Sequence, residues 1–244
     1  MLLPLPAFAQ ISQDNGVCST DIDGNTYEWA CTQVTTSPPP PPPTPEPTYS
    51  RVVAFGDSWT NDNWEWAETV ADSLSLPITN YATHGDTSSQ IRQQVQSYVN
   101  SGVDVDALHF YWIFPNDYRT NYAAPYGDGF DVVASNVQPT FELLINAGVP
   151  SDNILVLTLP DGEHYPIFGG FWQSYGTSLT QGTNQIVEAA AVQYAIPVYD
   201  SASFLNGILD GCGNSCWLTG GGEEGNHMAS WVHDNLAAEI VGDL

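Results

Sequence analysis

Ser58 closes the run Val52-Val53-Ala54-Phe55-Gly56-Asp57-Ser58. Four apolar residues stopped by a Gly-Asp pair read as a short buried strand that turns sharply. A serine there stands at the carboxyl edge of a sheet, close to a helix start whose N–H groups favour developing negative charge. That setting suits attack by a serine hydroxyl on an acyl carbon. Such attack needs a base for the proton, an acid to orient the base, donors for the oxyanion, and water. The plainer alternative is a strand–turn–helix corner in which Asp57 or Ser58 merely caps the helix.

Five histidines are available as base: His84, His109, His164, His227 and His233. His109 lies inside an apolar strand, His164 in a Pro-bounded loop, and His233 within the last helical stretch, where packing explains it. His227 differs. It closes the polar, Gly-rich loop 219–226 and immediately precedes the last helix, with Glu224 three residues before it. That spacing lets a carboxylate fold back towards the same imidazole; a surface loop with a helix-capping histidine is the alternative. Gly85 offers a backbone N–H unhindered by a Cβ, and Asn116 a side-chain amide. Ordinary turn residues have the same composition.

The elements that must position these groups alternate from residue 49 onward. Apolar strands are predicted near 52–56, 78–82, 107–113, 153–158 and 197–200, and helices near 64–76, 88–101, 130–147, 174–195 and 228–241. Alternation of this kind requires crossovers and predicts an α/β fold with a parallel sheet and helices on both faces. Ser58, Gly85 and Asn116 then follow the first three strands.

Before residue 49 the composition changes. Residues 1–9 have an apolar stretch ending in Ala-Phe-Ala and read as the remnant of a secretory signal. Residues 10–36 form a small segment closed by Cys18 and Cys31; Cys212 and Cys216 make a second close pair. Two local disulfides fit a secreted chain, whereas zinc lacks a matching His or Cys set. Residues 37–48, dominated by Pro38 to Pro43, make a polyproline II spacer of roughly 35–40 Å. Residues 49–244 hold the alternating pattern and the chemistry. The N-terminal piece reads equally as a carbohydrate-binding remnant or an inert pro-region.

The charge balance narrows the partners. Three arginines and no lysine face 28 acidic residues, for a formal net charge of -25. Such a surface repels nucleic-acid backbones and anionic lipid, leaving neutral small molecules and oligosaccharides.

Serine on the first loop, glycine on the second, asparagine on the third and histidine before the last helix, in that order, resemble the SGNH (GDSL-type) hydrolase superfamily. The matching segments are Phe55-Gly-Asp-Ser58-Trp-Thr60, Asn80-Tyr-Ala-Thr-His-Gly85, Trp112-Ile-Phe-Pro-Asn116-Asp117 and Glu224-Gly-Asn-His227. The resemblance runs from Arg51 to the C-terminus. It is nearest to fungal secreted acetylesterases that deacetylate hemicellulose oligosaccharides (carbohydrate esterase family sixteen-like). Two positions depart from the pattern: Phe114 stands where the family carries glycine, and Glu224 where it carries aspartate.

The resemblance implies a three-layer, flavodoxin-like sandwich with a five-stranded parallel sheet flanked by helices. It implies a triad of Ser58, His227 and Glu224, and an oxyanion hole from Ser58, Gly85 and Asn116. Glu224 either orients the imidazole on a longer arm or leaves a Ser–His pair aided by a backbone carbonyl. Trp59, Asp117 and Trp217, beside the motifs, are assigned to substrate contact; Trp64, Trp66, Tyr118 and Tyr122 also flank them. No metal or cofactor is implied, and the expected protein is an extracellular monomer hydrolysing carbohydrate acetyl esters. A short-chain lipase or esterase of the same superfamily, or a carbohydrate-binding protein with a decayed site, are the alternatives.

Overall fold

The computed structural model describes residues 12–14, 17–22, 25–30, 49–61, 66–114, 116–120, 129–164, 169–217 and 227–244. Residues 1–9, the spacer 37–48, Cys31, Trp64, Tyr122 and Glu224 therefore lie outside the described residues, and with Cys31 the Cys18–Cys31 pairing. The described part before residue 31 is an antiparallel sheet of β1 (Ser12–Asp14), β2 (Val17–Ile22) and β3 (Asn25–Ala30), with Cys18 opposite Trp29. The strands were not predicted, although Thr20, Ile22, Thr26, Tyr27 and Trp29 are strong strand formers.

The main sheet has five parallel strands in the order β5-β4-β6-β7-β8. They are β4 (Val52–Gly56), β5 (Ile78–Asn80), β6 (Leu108–Trp112), β7 (Ile154–Leu157) and β8 (Val198–Tyr199). β4 and β6, paired to one another, are buried along their whole lengths. Burial on both faces explains why these strands read as unbroken apolar runs rather than alternating ones. His109, the polar member of β6, is satisfied within the core: its ring bonds the Tyr98 hydroxyl at 3.0 Å and the Asn153 carbonyl at 3.2 Å.

Helices α1 (Trp66–Ser73), α2 (Ser88–Ser101), α3 (Asp117–Thr120), α4 (Gly129–Asn146), α5 (Gly169–Gln193), α6 (Ser201–Cys212) and α7 (Ser230–Asp243) complete the fold. α1 packs on α7, whereas α2 packs on α4 and α4 on α5. The right-handed crossover rule puts these two groups on opposite faces of the sheet, giving three layers. From β4 the chain moves outward to β5, then returns past β4 to β6. The strand order thus reverses between β4 and β6, and open α/β sheets place ligands in the crevice at that edge. Ser58 and Asn116 leave the sheet on either side of it.

α2 shows how the sequence sets an element. Ile91, Val95 and Tyr98 make an apolar stripe, the side chain of Gln90 accepts the Thr87 N–H at 3.0 Å, and Gly102 at φ 107° ends the helix. The predicted 88–101 is the observed span. α6 was not predicted.

Candidate active site

Loop one begins at Gly56, where an added Cβ would lie 2.5 Å from Thr60 Oγ1 and 2.6 Å from the Trp112 carbonyl. Glycine there lets the chain turn hard against β6. Asp57, fully buried, then holds the turn: Oδ1 accepts the Trp59 N–H at 3.0 Å and Oδ2 the Phe114 N–H at 2.5 Å. Burial pushes its carboxyl from 3.8 up to about 7, while the two backbone N–H groups pull the other way. The side chain that braces the corner is therefore that of Asp57. Ser58, at 8% exposure, sits on its outer side, at the carboxyl end of β4.

Loop two follows β5 and is laced to loop one. Thr83 N–H donates to the Gly56 carbonyl at 3.3 Å, and Asn61 Nδ2 to the Ala82 carbonyl at 2.9 Å. Asn80 Nδ2 donates to the Thr60 carbonyl at 2.6 Å and to Glu68 Oε1 at 2.9 Å, while its Oδ1 accepts the Ala82 N–H. Gly85 sits at φ 75°, and a Cβ built on it would meet nothing within 4 Å. The peptide at Gly85 borders open space, in a backbone conformation that side-chain-bearing residues avoid.

Loop three brings Asn116 to loop two. Its Nδ2 donates to the Asp86 carbonyl at 3.0 Å, and its backbone N–H closes a tight turn on the Phe114 carbonyl at 2.7 Å. One of the two amide N–H groups is engaged by Asp86. Asp117 is turned inward: its carboxylate accepts the Ser88 N–H at 2.9 Å and the Ser88 hydroxyl at 2.8 Å, at the start of α2. Burial raises its pKa, and the Ser88 bonds counteract this.

His227 is almost fully buried and stands just ahead of α7. Its surroundings are firmly joined: Met228 bridges to Trp217, Ala229 N–H donates to the Cys216 carbonyl at 2.6 Å, and Cys212 and Cys216 form a disulfide. The rings of His227 and His84 meet edge to face, with centroids 6.1 Å apart. His84 directly precedes Gly85, so the imidazole near the C-terminus lies against the loop that carries Gly85. His233, in the next turn, is buried and held down to about 3 by desolvation and then by the charge of His227.

The structure thus gathers the segments of Ser58, Gly85 and Asn116 into one bonded cluster and sets His227 beside it. The expected substrate contacts Trp59, Asp117 and Trp217 are all buried. Trp59 is 2% exposed, stacked on Phe114 at 5.1 Å and edge-on to Trp112 at 5.3 Å. Trp66 and Tyr118 are likewise core, Trp217 is buried beside its bridge to Met228, and Asp117 is committed to Ser88. Aromatic rings near a motif fill the interior at least as often as they line a cleft.

Sequence reasoning passed over Gln94, whose amide reaches Gly56 and Asp86. The signal was present: Gln94 is the polar member of the buried stripe Ile91, Gln94, Val95, Tyr98. Among the described residues, no group of three or more His, Cys, Asp or Glu side chains could hold a metal ion.

The profile of the GDSL-like Lipase/Acylhydrolase family matches residues 52–240. No curated protein matches the chain in sequence. Among solved structures, a lipolytic protein of the G-D-S-L family from Veillonella parvula is similar at 16% identity. That likeness covers 79% of this chain and 96% of that one, with TM-score 0.59. A variant of Axe2, an acetyl xylan esterase from Geobacillus stearothermophilus, is similar at 15% identity over 80% and 94% of the two chains, with TM-score 0.57. A GDSL-like lipase from Bacteroides thetaiotaomicron gives 16%, 80%, 88% and 0.52. At these identities the likeness is one of fold.

Proposed function

The chain belongs to the GDSL-like lipase/acylhydrolase family and is a carboxylic ester hydrolase; from this premise we propose that it removes acetyl groups from carbohydrate. In this reading Ser58 is the nucleophile and His227 the base, with Glu224 orienting the imidazole. Ser58 Oγ attacks the acetyl carbonyl carbon as its proton passes to His227 Nε2. The oxyanion is met by the N–H groups of Ser58 and Gly85 and by the second N–H of Asn116. Collapse breaks the bond to the sugar oxygen, which leaves with the proton from His227. Water, deprotonated by His227, then attacks the acetyl-enzyme, releasing acetate and restoring the Ser58 hydroxyl.

The observation that carries this reading is the stitched cluster of loops one, two and three at the strand-order reversal, with the His227 ring against His84. Fixed donors around a single point are what a tetrahedral oxyanion requires. A neutral sugar is favoured by the net charge of -25, which disfavours anionic partners. Axe2, an acetyl xylan esterase, shares the fold and makes the same substrate class the first to try. The proposed setting is extracellular, as a monomer in which residues 49–244 form the hydrolase part.

Labelling by a serine-reactive phosphonate, abolished in Ser58→Ala, tests the nucleophile. Acetylated xylo-oligosaccharides set against short- and long-chain nitrophenyl esters test the substrate. Preference for long acyl chains would overturn the carbohydrate assignment while leaving the esterase intact.

A further inference from the structure

We infer that Gln94, on α2, is the positioning residue that sets the oxyanion donors, acting from behind the loops that carry them. Its Oε1 accepts the Gly56 N–H at 3.1 Å, and its Nε2 donates to the Gly56 carbonyl at 2.8 Å. One primary amide thus occupies both polar groups of the last residue of β4, two positions before Ser58. The same Nε2 donates to Asp86 Oδ2 at 2.8 Å, immediately after Gly85. The carbonyl of Asp86 in turn accepts Nδ2 of Asn116 at 3.0 Å. A single buried side chain on a capped helix therefore ties loop one to loop two directly, and loop three through Asp86.

Only a side chain with a donor and an acceptor at one planar end makes these bonds. Methionine matches its volume but makes none, and glutamate keeps the acceptor while losing the N–H group. Gln94 is 9% exposed and lies on the inner face of α2. Its amide is engaged by Gly56 and Asp86, so it acts through the donors it fixes. Small displacements of such donors are costly, since misplacement by about 1 Å lowers turnover by roughly 100-fold.

This rests on the active-site reading above, and the test separates the two. Gln94→Met and Asp86→Ala are assayed on nitrophenyl acetate, alone and combined with Asn116→Ala, with folding checked by circular dichroism. The expected result is a fall in kcat of about 10- to 100-fold for Gln94→Met, with KM within about twofold, and a smaller fall for Asp86→Ala. In the Asn116→Ala background Asp86→Ala costs less than in the wild type, because the part of its effect that runs through that amide is already lost. Gln94→Glu gives a second readout should Gln94→Met fail to fold: its activity relative to the wild type rises on acidification, as the new carboxyl regains a donor. Unchanged kcat in Gln94→Met, or full additivity of Asp86→Ala with Asn116→Ala, overturns the relay. So does a Gln94→Glu variant whose relative activity ignores pH. In each case crippled Ser58→Ala and Asn116→Ala enzymes leave the site reading standing. Full activity in those two variants overturns the site and the relay together.

Discussion

The backbone N–H of Phe114 donates to Oδ2 of Asp57 at 2.5 Å, so the residue beside Ser58 is bonded directly to the turn that presents Asn116. The other carboxylate oxygen accepts the Trp59 N–H. Asp57→Asn keeps the shape but turns an NH2 group towards one of these two donors. Leaving a buried donor unmade costs about 1–3 kcal/mol, or roughly 2–12 °C in Tm for a chain of this size. Thermal unfolding followed by circular dichroism measures it, and an unchanged midpoint would show that Asp57 does not brace the corner.

Phe114→Ala separates packing from chemistry. The ring stacks on Trp59 in the core, and truncating a buried Phe costs about 3–5 kcal/mol. The backbone N–H and carbonyl that hold Asp57 and Asn116 remain. The expected outcome is a large loss of stability, with acetyl ester hydrolysis at low temperature reduced far less than in Asn116→Ala. Chemical denaturation and steady-state kinetics on one preparation give both numbers.

Gly85→Ala meets no steric obstacle, since nothing lies within 4 Å of the added methyl. Its penalty is the left-handed backbone, about 1–2 kcal/mol. The loop relaxes that strain by rotating the peptide at residue 85. A fall in kcat beyond what the small change in Tm explains is therefore expected, and wild-type turnover would remove Gly85 from the site.

Stability should change only gently in mildly acid solution and fall more steeply on both sides. Burial raises Asp57 from 3.8 to about 7 and Glu188 from 4.5 to about 7, so their contributions are full at low pH and lost as pH rises towards 7. Burial lowers His109 from 6.5 to about 4 and His233 from 6.5 to about 3, so theirs are full above 6.5 and lost as pH falls. The two pairs oppose one another between about pH 4.5 and 6.5. Asp117, also raised by burial, adds to the first pair, so Tm is expected to decline gently there, to drop more steeply between pH 6.5 and 7.5, and to drop again below 4. A midpoint that climbs steadily from pH 5 to 8 would contradict these assignments.

Strands β4 and β6 were legible because burial on both faces forces continuous apolar runs, as in Val52 to Phe55. α2 was legible because Thr87 and Gly102 punctuate a clear stripe. α6 was not, because Gly207 and Gly211 dilute the helical pattern. Its signals were the buried series Ser201, Leu205, Leu209 and the Asp200 side chain accepting the Ser203 N–H at 3.1 Å. Within the site, motif order located the loops, since each follows a strand. What sequence could not supply was direction. Asp117 and Trp59 adjoin the motifs yet point inward, and Gln94, remote in sequence from Gly56, is bonded to it.

The bond between Cys212 and Cys216 encloses five residues, a loop whose closure entropy is worth about 2 kcal/mol. It bears on one neighbour as well: the Cys216 carbonyl holds Ala229, two residues past His227. Reduction is thus expected to cost stability and, in the proposed mechanism, to loosen the imidazole's footing as well.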